Sequence, residues 1–122
     1  MKQINFLFVV LMVITVSLLS VTPALAVDEH ECMHLDHSIQ SLRMCVNHAA
    51  EMGHIDNKGV ANSLLAKLDG AQAALTRGQS DVAVAKLQAF VHEVEAQLGK
   101  HIDTTHGSHM IMHAEMVISN PQ

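Results

Sequence analysis

The sequence predicts an all-α protein, a small four-helix bundle of two packed helical hairpins that follow an N-terminal signal peptide. Apolar residues recur at every third or fourth position through four successive segments, as they do on one face of a helix. Short links that contain Gly with Asp, Asn or Ser separate these segments, and no stretch alternates apolar and polar residues as a half-buried strand does. Helices joined by such short links pack as antiparallel neighbours, so four of them form a bundle.

The first 26 residues have the pattern of an export signal. Lys2 lies in a short polar start, residues 6–21 are almost wholly apolar, and Ala24-Leu25-Ala26 supplies small residues for cleavage. A retained membrane anchor is the alternative, because the apolar stretch approaches the length that spans a bilayer. The single flanking basic residue and the nearby Pro23 favour cleavage.

Cleavage after residue 26 divides the chain into three parts. Residues 1–26 are the signal peptide, residues 27–37 are an N-terminal segment that contains His and Cys, and residues 38–122 are the helical bundle domain. We therefore expect an extracytoplasmic protein, periplasmic or secreted, with no stable insertion in the membrane after cleavage.

The composition excludes several classes of partner. The chain has a formal net charge of −5, and the signal contributes the basic Lys2, so the mature domain is more acidic still. An acidic domain is a poor partner for nucleic acid or an anionic membrane surface. Phe90 is the one aromatic residue outside the signal, and the chain has no Trp or Tyr, so we expect no carbohydrate-stacking or base-stacking site.

The first two helices are predicted from their apolar stripes and their ends. The first begins after Asp36 and ends at Gly53, and the second is capped by Asp56 or Asn57. The first stripe is Leu35, Ile39, Leu42, Val46 and Ala49. The second stripe is Val60, Leu64, Leu68, Ala71 and Leu75.

The third and fourth helices follow the same pattern. Gly78 ends the second helix and Ser80 is the expected N-cap of the third, which spans residues 81–98 on a stripe of Ala83, Leu87, Phe90, Val91, Val94 and Leu98. Gly99 ends that helix, and Asp103 or Thr104 caps the fourth. The core side of the fourth helix includes Ile111, Ala114 and Ile118. The two junctions around residues 53–56 and 99–103 echo each other, as they would after an internal duplication or simply because Gly ends a helix well and Asp begins one well.

Four stretches of the sequence carry a family resemblance: Gly53-His54-Ile55, residues 62–72 (NSLLAKLDGAQ), residues 87–94 (LQAFVHEV) and residues 99–102 (GKHI). They resemble the FIMAH domain, a small helical module commonly found at the ends of larger exported microbial enzymes. The matching residues are mostly core and turn positions. The resemblance implies a non-catalytic accessory or interaction module, with no established active site to carry over. This chain departs from the usual pattern in its richness in His and Met.

Histidine clusters at two places in the chain. Of the ten histidines, five lie in residues 30–54 and four in residues 101–113. When the residues of the fourth helix are placed around its axis at about 100° intervals, the apolar residues and the His/Met residues fall on different sides. One side is predicted to hold Met110, Ile111, Ala114, Val117 and Ile118, and the other His106, His109, Met112, His113 and Met116.

The His/Met side of the fourth helix is a candidate metal site. His109 and His113 are four residues apart, which places them close enough to share one ion. Imidazole suits Cu²⁺, Zn²⁺ and Ni²⁺, and the thioethers of Met112 and Met116 favour Cu⁺. On an exported protein this mixed face indicates copper first, then zinc or nickel.

A second stripe in the N-terminal part repeats the pattern. His34, His37 and His48, with His30 and Met44, lie well round from the apolar face of the first helix if that helix extends back far enough. We expect a site there to lie on the surface, or to be shared with the fourth helix or with another copy of the chain. His54 and His101 lie at helix junctions and are assigned to turns, and His92 to the polar side of the third helix.

Cys32 and Cys45 leave two alternatives open. In an oxidising compartment a disulfide is expected, but on one continuous helix the two residues lie about 20 Å apart, far beyond bridging distance. A bridge therefore requires residues 32–37 to fold back against the first helix. Without that fold-back, the two thiols are free and available as soft metal ligands.

The sequence contains no recognised catalytic constellation. His30-Glu31-Cys32-Met33-His34 matches the HExxH pattern of zinc peptidases, but it lies at the very start of the predicted mature chain, without a preceding sheet or a third-ligand pattern. We predict that the protein is not an enzyme. The leading hypothesis is an exported metal-binding protein that captures or buffers copper.

The alternative hypothesis is a FIMAH-type interaction module that binds a protein partner or a second copy of the chain, with incidental surface histidines. A pH-responsive oligomer is a variant of this alternative, because clustered imidazoles gain charge at about pH 6.

Overall fold

The computed structural model describes residues 36–122 as four helices. Helix α1 spans Ile39–Glu51, α2 Lys58–Thr76, α3 Ser80–Gln97 and α4 Thr104–Ser119. This confirms the predicted all-α bundle. The predicted signal peptide, Cys32, His34 and most of the N-terminal segment lie outside the described residues. No helix in the described part of the chain has the length and apolar character needed to cross a membrane.

Each helix of residues 36–122 packs against two neighbours, so the four form a closed ring. The contacts join α1 to α2, α2 to α3, α3 to α4 and α4 back to α1. The interface between α2 and α3 is the most extensive, and the seam between α1 and α4 is the least extensive. This seam is where the first and last helices of the ring meet.

Short polar side chains begin three of the four helices. Ser38 and Ser41 form a reciprocal capping box at α1, and Asn57 caps α2 by accepting bonds from the backbone N–H groups of Gly59 and Val60 at 2.9 and 3.1 Å. Asp103 caps α4. The expected Ser80 cap is wrong: α3 begins at Ser80 itself, after Gln79, whose side chain makes no capping bond.

The glycines predicted to end helices do so by their backbone conformation. Gly53, Gly78 and Gly99 have φ angles of 82°, 71° and 69°, in the left-handed region where a side chain is strained.

The two helix junctions pair with each other at one end of the bundle. Ile55 and Ile102 form an isolated antiparallel bridge, and both side chains are buried. The backbone N–H of Asp56 donates to the carbonyl of His101 at 3.1 Å, and the N–H of Asp103 donates to the carbonyl of His54 at 2.8 Å. The echo between the junctions in the sequence thus corresponds to a pseudo-symmetric contact that ties one hairpin to the other.

The orientation of α4 differs from the prediction. Met110, Ala114 and Val117 are fully buried, whereas Ile111 and Ile118 are only half-buried. The assignment of His113 to the polar side is wrong, because it is 3 % exposed. Position 113 lies three residues after Met110 and four before Val117, so all three share one face.

Gly107 allows α4 to approach the second junction closely. A β-carbon at this position would overlap with Leu98 Cδ2 and come within 3.1 Å of Ile102 Cγ2. The absence of a side chain therefore lets the first turn of α4 lie directly against the junction that contains His101 and Asp103.

Phe90 is fully buried at the centre of the core. Phe90→Ala should lower the free energy of unfolding by about 3–5 kcal/mol, because it removes the largest buried side chain and leaves a cavity. Val82→Ala on the same helix, where the side chain is 42 % exposed, is the matched control and should change it by less than about 0.5 kcal/mol. Denaturant melts measure the free energy of unfolding of both variants, and similar losses for the two would contradict the burial of Phe90.

Gly107→Ala should destabilise the protein by about 1–3 kcal/mol, because overpacking outweighs the better helix propensity of Ala. Gly70→Ala is the control in the middle of α2, where the added β-carbon meets only flexible atoms of Lys86. This control should be neutral or stabilising by up to about 1 kcal/mol. Thermal denaturation of both variants measures the difference, and equal melting temperatures would refute the close approach.

Candidate metal centre

Three potential metal ligands meet where the two junctions pair. His54 comes from the first junction, Asp103 from the second, and His106 from the first turn of α4. A ligand atom from each of the three lies within 4.8 Å of the other two, and no other such group of three His, Cys, Asp or Glu occurs in residues 36–122. The cluster contains no cysteine.

The two imidazoles of the cluster are stacked. The ring centroids of His54 and His106 are 3.5 Å apart, with an angle of 15° between the ring planes. The lone pairs of nearly parallel rings lie in two parallel planes, so they do not converge on one point between the rings. A shared ion therefore requires a modest rotation of the rings about their side-chain bonds, which leaves the backbone in place.

Asp103 has two roles at the start of α4. Its Oδ1 accepts bonds from the N–H groups of Thr105 and His106 at 3.0 and 3.1 Å, and it lies 2.9 Å from His106 Nδ1. The side-chain hydrogen bond from His106 is the main cause that lowers the pKa of Asp103 below its usual range, followed by the His106 backbone N–H. The carboxylate is therefore ionised and ready to bind a cation.

The atoms of Asp103 and His106 are already spaced for a shared ion. The 2.9 Å between Oδ1 and Nδ1 is bridged by a proton in the absence of metal. Ligand atoms about 2 Å from one ion lie about 3 Å from each other. A metal ion can therefore take the place of this proton, and Oδ2 remains available as a second carboxylate oxygen.

A second His–Asp pair lies across the same junctions. His101 Nδ1 is 2.8 Å from Asp56 Oδ1, so each junction supplies a histidine that faces the aspartate of the other. The pairs are unequal because the helix caps are offset by one residue. Asp103 follows the bridged Ile102 and is itself the cap, whereas Asp56 follows Ile55 and the cap is the next residue, Asn57.

The His/Met group predicted on α4 is divided by the structure. His106 lies at the junction, whereas His113 lies two turns away, about 10 Å along the helix axis. Between them His109 is half-buried, and Met112 is 44 % exposed. Met116 is half-buried further along.

His113 is held by Ser41 across the α1–α4 seam. Its Nε2 lies 3.1 Å from Ser41 Oγ. The one hydrogen of the Ser41 hydroxyl has two carbonyl acceptors nearby, those of Asp36 and Ser38 at 2.5 and 3.0 Å, of which Asp36 is the closer. Ser41 Oγ therefore accepts from His113, whose Nε2 carries a hydrogen and has no lone pair for a metal.

One histidine of the N-terminal stripe, His37, contacts the fourth helix, and a metal site shared between the two remains a prediction. The ring of His37 packs edge-on against His113, with centroids 5.6 Å apart. His48 is half-buried in the last turn of α1, and Cys45 is buried on the same helix. The possible Cys32–Cys45 bridge remains a prediction, because Cys32 is outside the described residues.

Sequence reasoning missed two members of the cluster. His54 was assigned to a turn and Asp103 to a helix cap, and both assignments describe the local backbone correctly. The signal that identifies them is the repeated His-Ile-Asp at residues 54–56 and 101–103. Each junction joins the two helices of one hairpin, and two matched junctions at the same end of the bundle are expected to meet. Their meeting places the histidine of each junction opposite the aspartate of the other.

Comparison with known proteins identifies one family. The family model described as the FIMAH domain matches residues 39–119, which include all four helices and both junctions. No curated protein and no solved structure matches the chain significantly.

The carboxyl pKa of Asp103 should be below 3.8, its ordinary value. His106→Gln should raise it, because this change removes the largest cause of the shift, while His92→Gln on the surface of α3 should leave it unchanged. Carboxyl ¹³C chemical shifts followed against pH measure both variants. An Asp103 pKa that is identical with and without His106 would contradict the pairing.

Because the pKa of Asp103 is lower in the folded state than in the unfolded state, its contribution to stability depends on pH. The ionised Asp103 contributes stability at pH values above its unfolded pKa, and this contribution is lost as the pH falls through the lower folded pKa.

Proposed function

The chain belongs to the FIMAH domain family, and from this premise we propose that it is an exported, non-catalytic module that binds a divalent transition-metal ion at His54, Asp103 and His106. The ion is copper(II), with zinc or nickel as alternatives, and the role is capture or buffering. The observation that carries the proposal is the convergence of three ligand atoms within 4.8 Å from two junctions that are distant in sequence.

The donor set favours a divalent ion. Two imidazole nitrogens and one carboxylate oxygen suit Cu²⁺, Zn²⁺ and Ni²⁺, whereas Cu⁺ prefers thiolate or thioether sulfur. The methionines of α4 that suggested Cu⁺ from the sequence are not members of the cluster. Cu²⁺ therefore fits the described ligands better than Cu⁺ does.

The location of the cluster gives the metal a structural consequence. His54 belongs to the α1–α2 hairpin, while Asp103 and His106 belong to the α3–α4 hairpin. An ion bound to all three adds a link between the hairpins at the end where their backbones already pair. Because such an ion binds the folded state selectively, it stabilises that state in proportion to the logarithm of its concentration.

A second candidate function is protein interaction. Met44 and Met52 on and beside α1 and Met112 on α4 are 48 %, 60 % and 44 % exposed, although large apolar side chains are usually buried. Exposed methionines are common on surfaces that bind proteins. In this case the histidines are incidental, and metal does not bind.

Metal titration of the mature protein by calorimetry separates the two functions. His54→Gln combined with His106→Gln should abolish micromolar binding of Cu²⁺ or Zn²⁺, because a single carboxylate remains. The matched control, His109→Gln combined with Met112→Leu, changes the face of α4 predicted from sequence and should retain the parent affinity. Circular dichroism verifies that both variants remain helical.

The pH dependence and the melting temperature provide further readouts of the same titration. Binding should weaken below about pH 6, because each imidazole must lose its proton to bind the ion. Metal should raise the melting temperature of the parent and of the α4 variant only. Loss of binding in the α4 variant but not in the junction variant would place the ion on α4, and a parent that binds no metal would favour the interaction module.

A further inference from the structure

A cleft of about 360 Å³ opens between the two paired junctions. His54 and Asp103 of the metal cluster form part of its wall, together with Lys100 and Thr104 from the second junction. Its volume is sufficient for a small organic anion or for one side chain of another protein. An ion bound to His54 and Asp103 therefore lies beside this cleft.

Three protein ligands leave a divalent ion coordinatively unsaturated. Structural zinc sites are closed by four protein ligands, whereas sites with three keep one position for water or for a bound molecule. No fourth His, Cys, Asp or Glu of the described residues joins the cluster within 4.8 Å. The remaining position is therefore available to a ligand that enters from the cleft.

The charge of the cleft changes sign when the metal binds. In the absence of metal its ionic groups are the carboxylates of Asp56 and Asp103 and the ammonium of Lys100, so the sum is negative and anions are disfavoured. A divalent ion makes the sum positive, since a bound metal is the largest charge in such a site. The ion balances the two carboxylates, and Lys100 supplies the remaining positive charge on the same wall.

We propose that the metal-loaded cleft binds a carboxylate group, which coordinates the open position of the ion and pairs with Lys100. This inference rests on the proposed metal function. The carboxylate belongs either to a small organic acid or to an acidic segment of another protein, because both present the same group. Metal binding thus acts as the condition for binding the second ligand.

Cobalt(II) is a suitable probe, because its visible absorption reports the ligands of the ion. The first step is a Co²⁺ titration of the mature protein, followed by acetate added to the loaded protein. Acetate should change the visible spectrum in a saturable way, and without metal it should cause no chemical-shift change at Lys100 or Thr104.

Lys100→Gln tests the second contact. It should weaken acetate binding by about 2–5-fold while the affinity for Co²⁺ stays the same, as expected for loss of one exposed charge contact. Lys58→Gln is the matched control at the same end of the bundle, because Lys58 lies outside this cleft, and it should leave acetate binding unchanged.

A short oligoglutamate peptide distinguishes the two sources of the carboxylate. Peptide binding at least ten times tighter than that of acetate, in competition with acetate, assigns the site to an acidic protein segment, and equal or weaker binding assigns it to a small acid. Co²⁺ binding with no spectral response to acetate, or an equal response in both lysine variants, would overturn this inference but leave the metal function intact. Failure of Co²⁺, Cu²⁺ and Zn²⁺ to bind at all would overturn both.

Discussion

Two backbone hydrogen bonds at one end of the bundle, from Asp56 to His101 and from Asp103 to His54, fix the relative position of the two helical hairpins. They work together with the buried contact of Ile55 and Ile102, which shields the pairing from water. The N–H groups of Ile55 and Ile102 bond back to the carbonyls of Ala49 and Gln97 at the ends of the preceding helices, and the next N–H groups along the chain, those of Asp56 and Asp103, pair across the junctions. This pairing satisfies the latter groups and brings His54 to the first turn of α4.

The difference between the two junctions explains why one of the two His–Asp contacts between them includes a third candidate ligand and the other does not. At the second junction the residue after the bridged Ile102, Asp103, is itself the cap of α4, so its carboxylate contacts the residue three positions later, His106. At the first junction the cap is displaced to Asn57, and the residue three positions after it is Val60. A one-residue offset between bridge and cap thus turns two similar sequences into chemically different sites.

The helices, their glycine ends and the Asp103 cap were predictable from the sequence, because each depends on interactions within a few residues. The rotation of α4 was not, because it depends on the neighbours that meet its sides. A polar residue such as His113 is assigned to solvent by its character alone, and only the position of Ser41 on α1 shows that a buried partner exists. One member of the cluster, His106, is predicted as a ligand from its position on the fourth helix. His54 is recognised as a ligand only when the pairing of the two junctions is known.

The histidines of the described residues therefore have different roles. His113 donates to Ser41 and so links α4 to the capping box of α1 across the least extensive helix contact. His92 lies on the surface near Glu95, at 3.4 Å. Loss of the hydrogen bond between His113 and Ser41 would leave a buried imidazole without that partner and would destabilise the α1–α4 seam. His54 and His106, in contrast, are half-buried, so an ion can reach them from solvent. The number of histidines is thus a poor measure of metal capacity, and their positions relative to the seam and the paired junctions determine which of them meet other potential ligands.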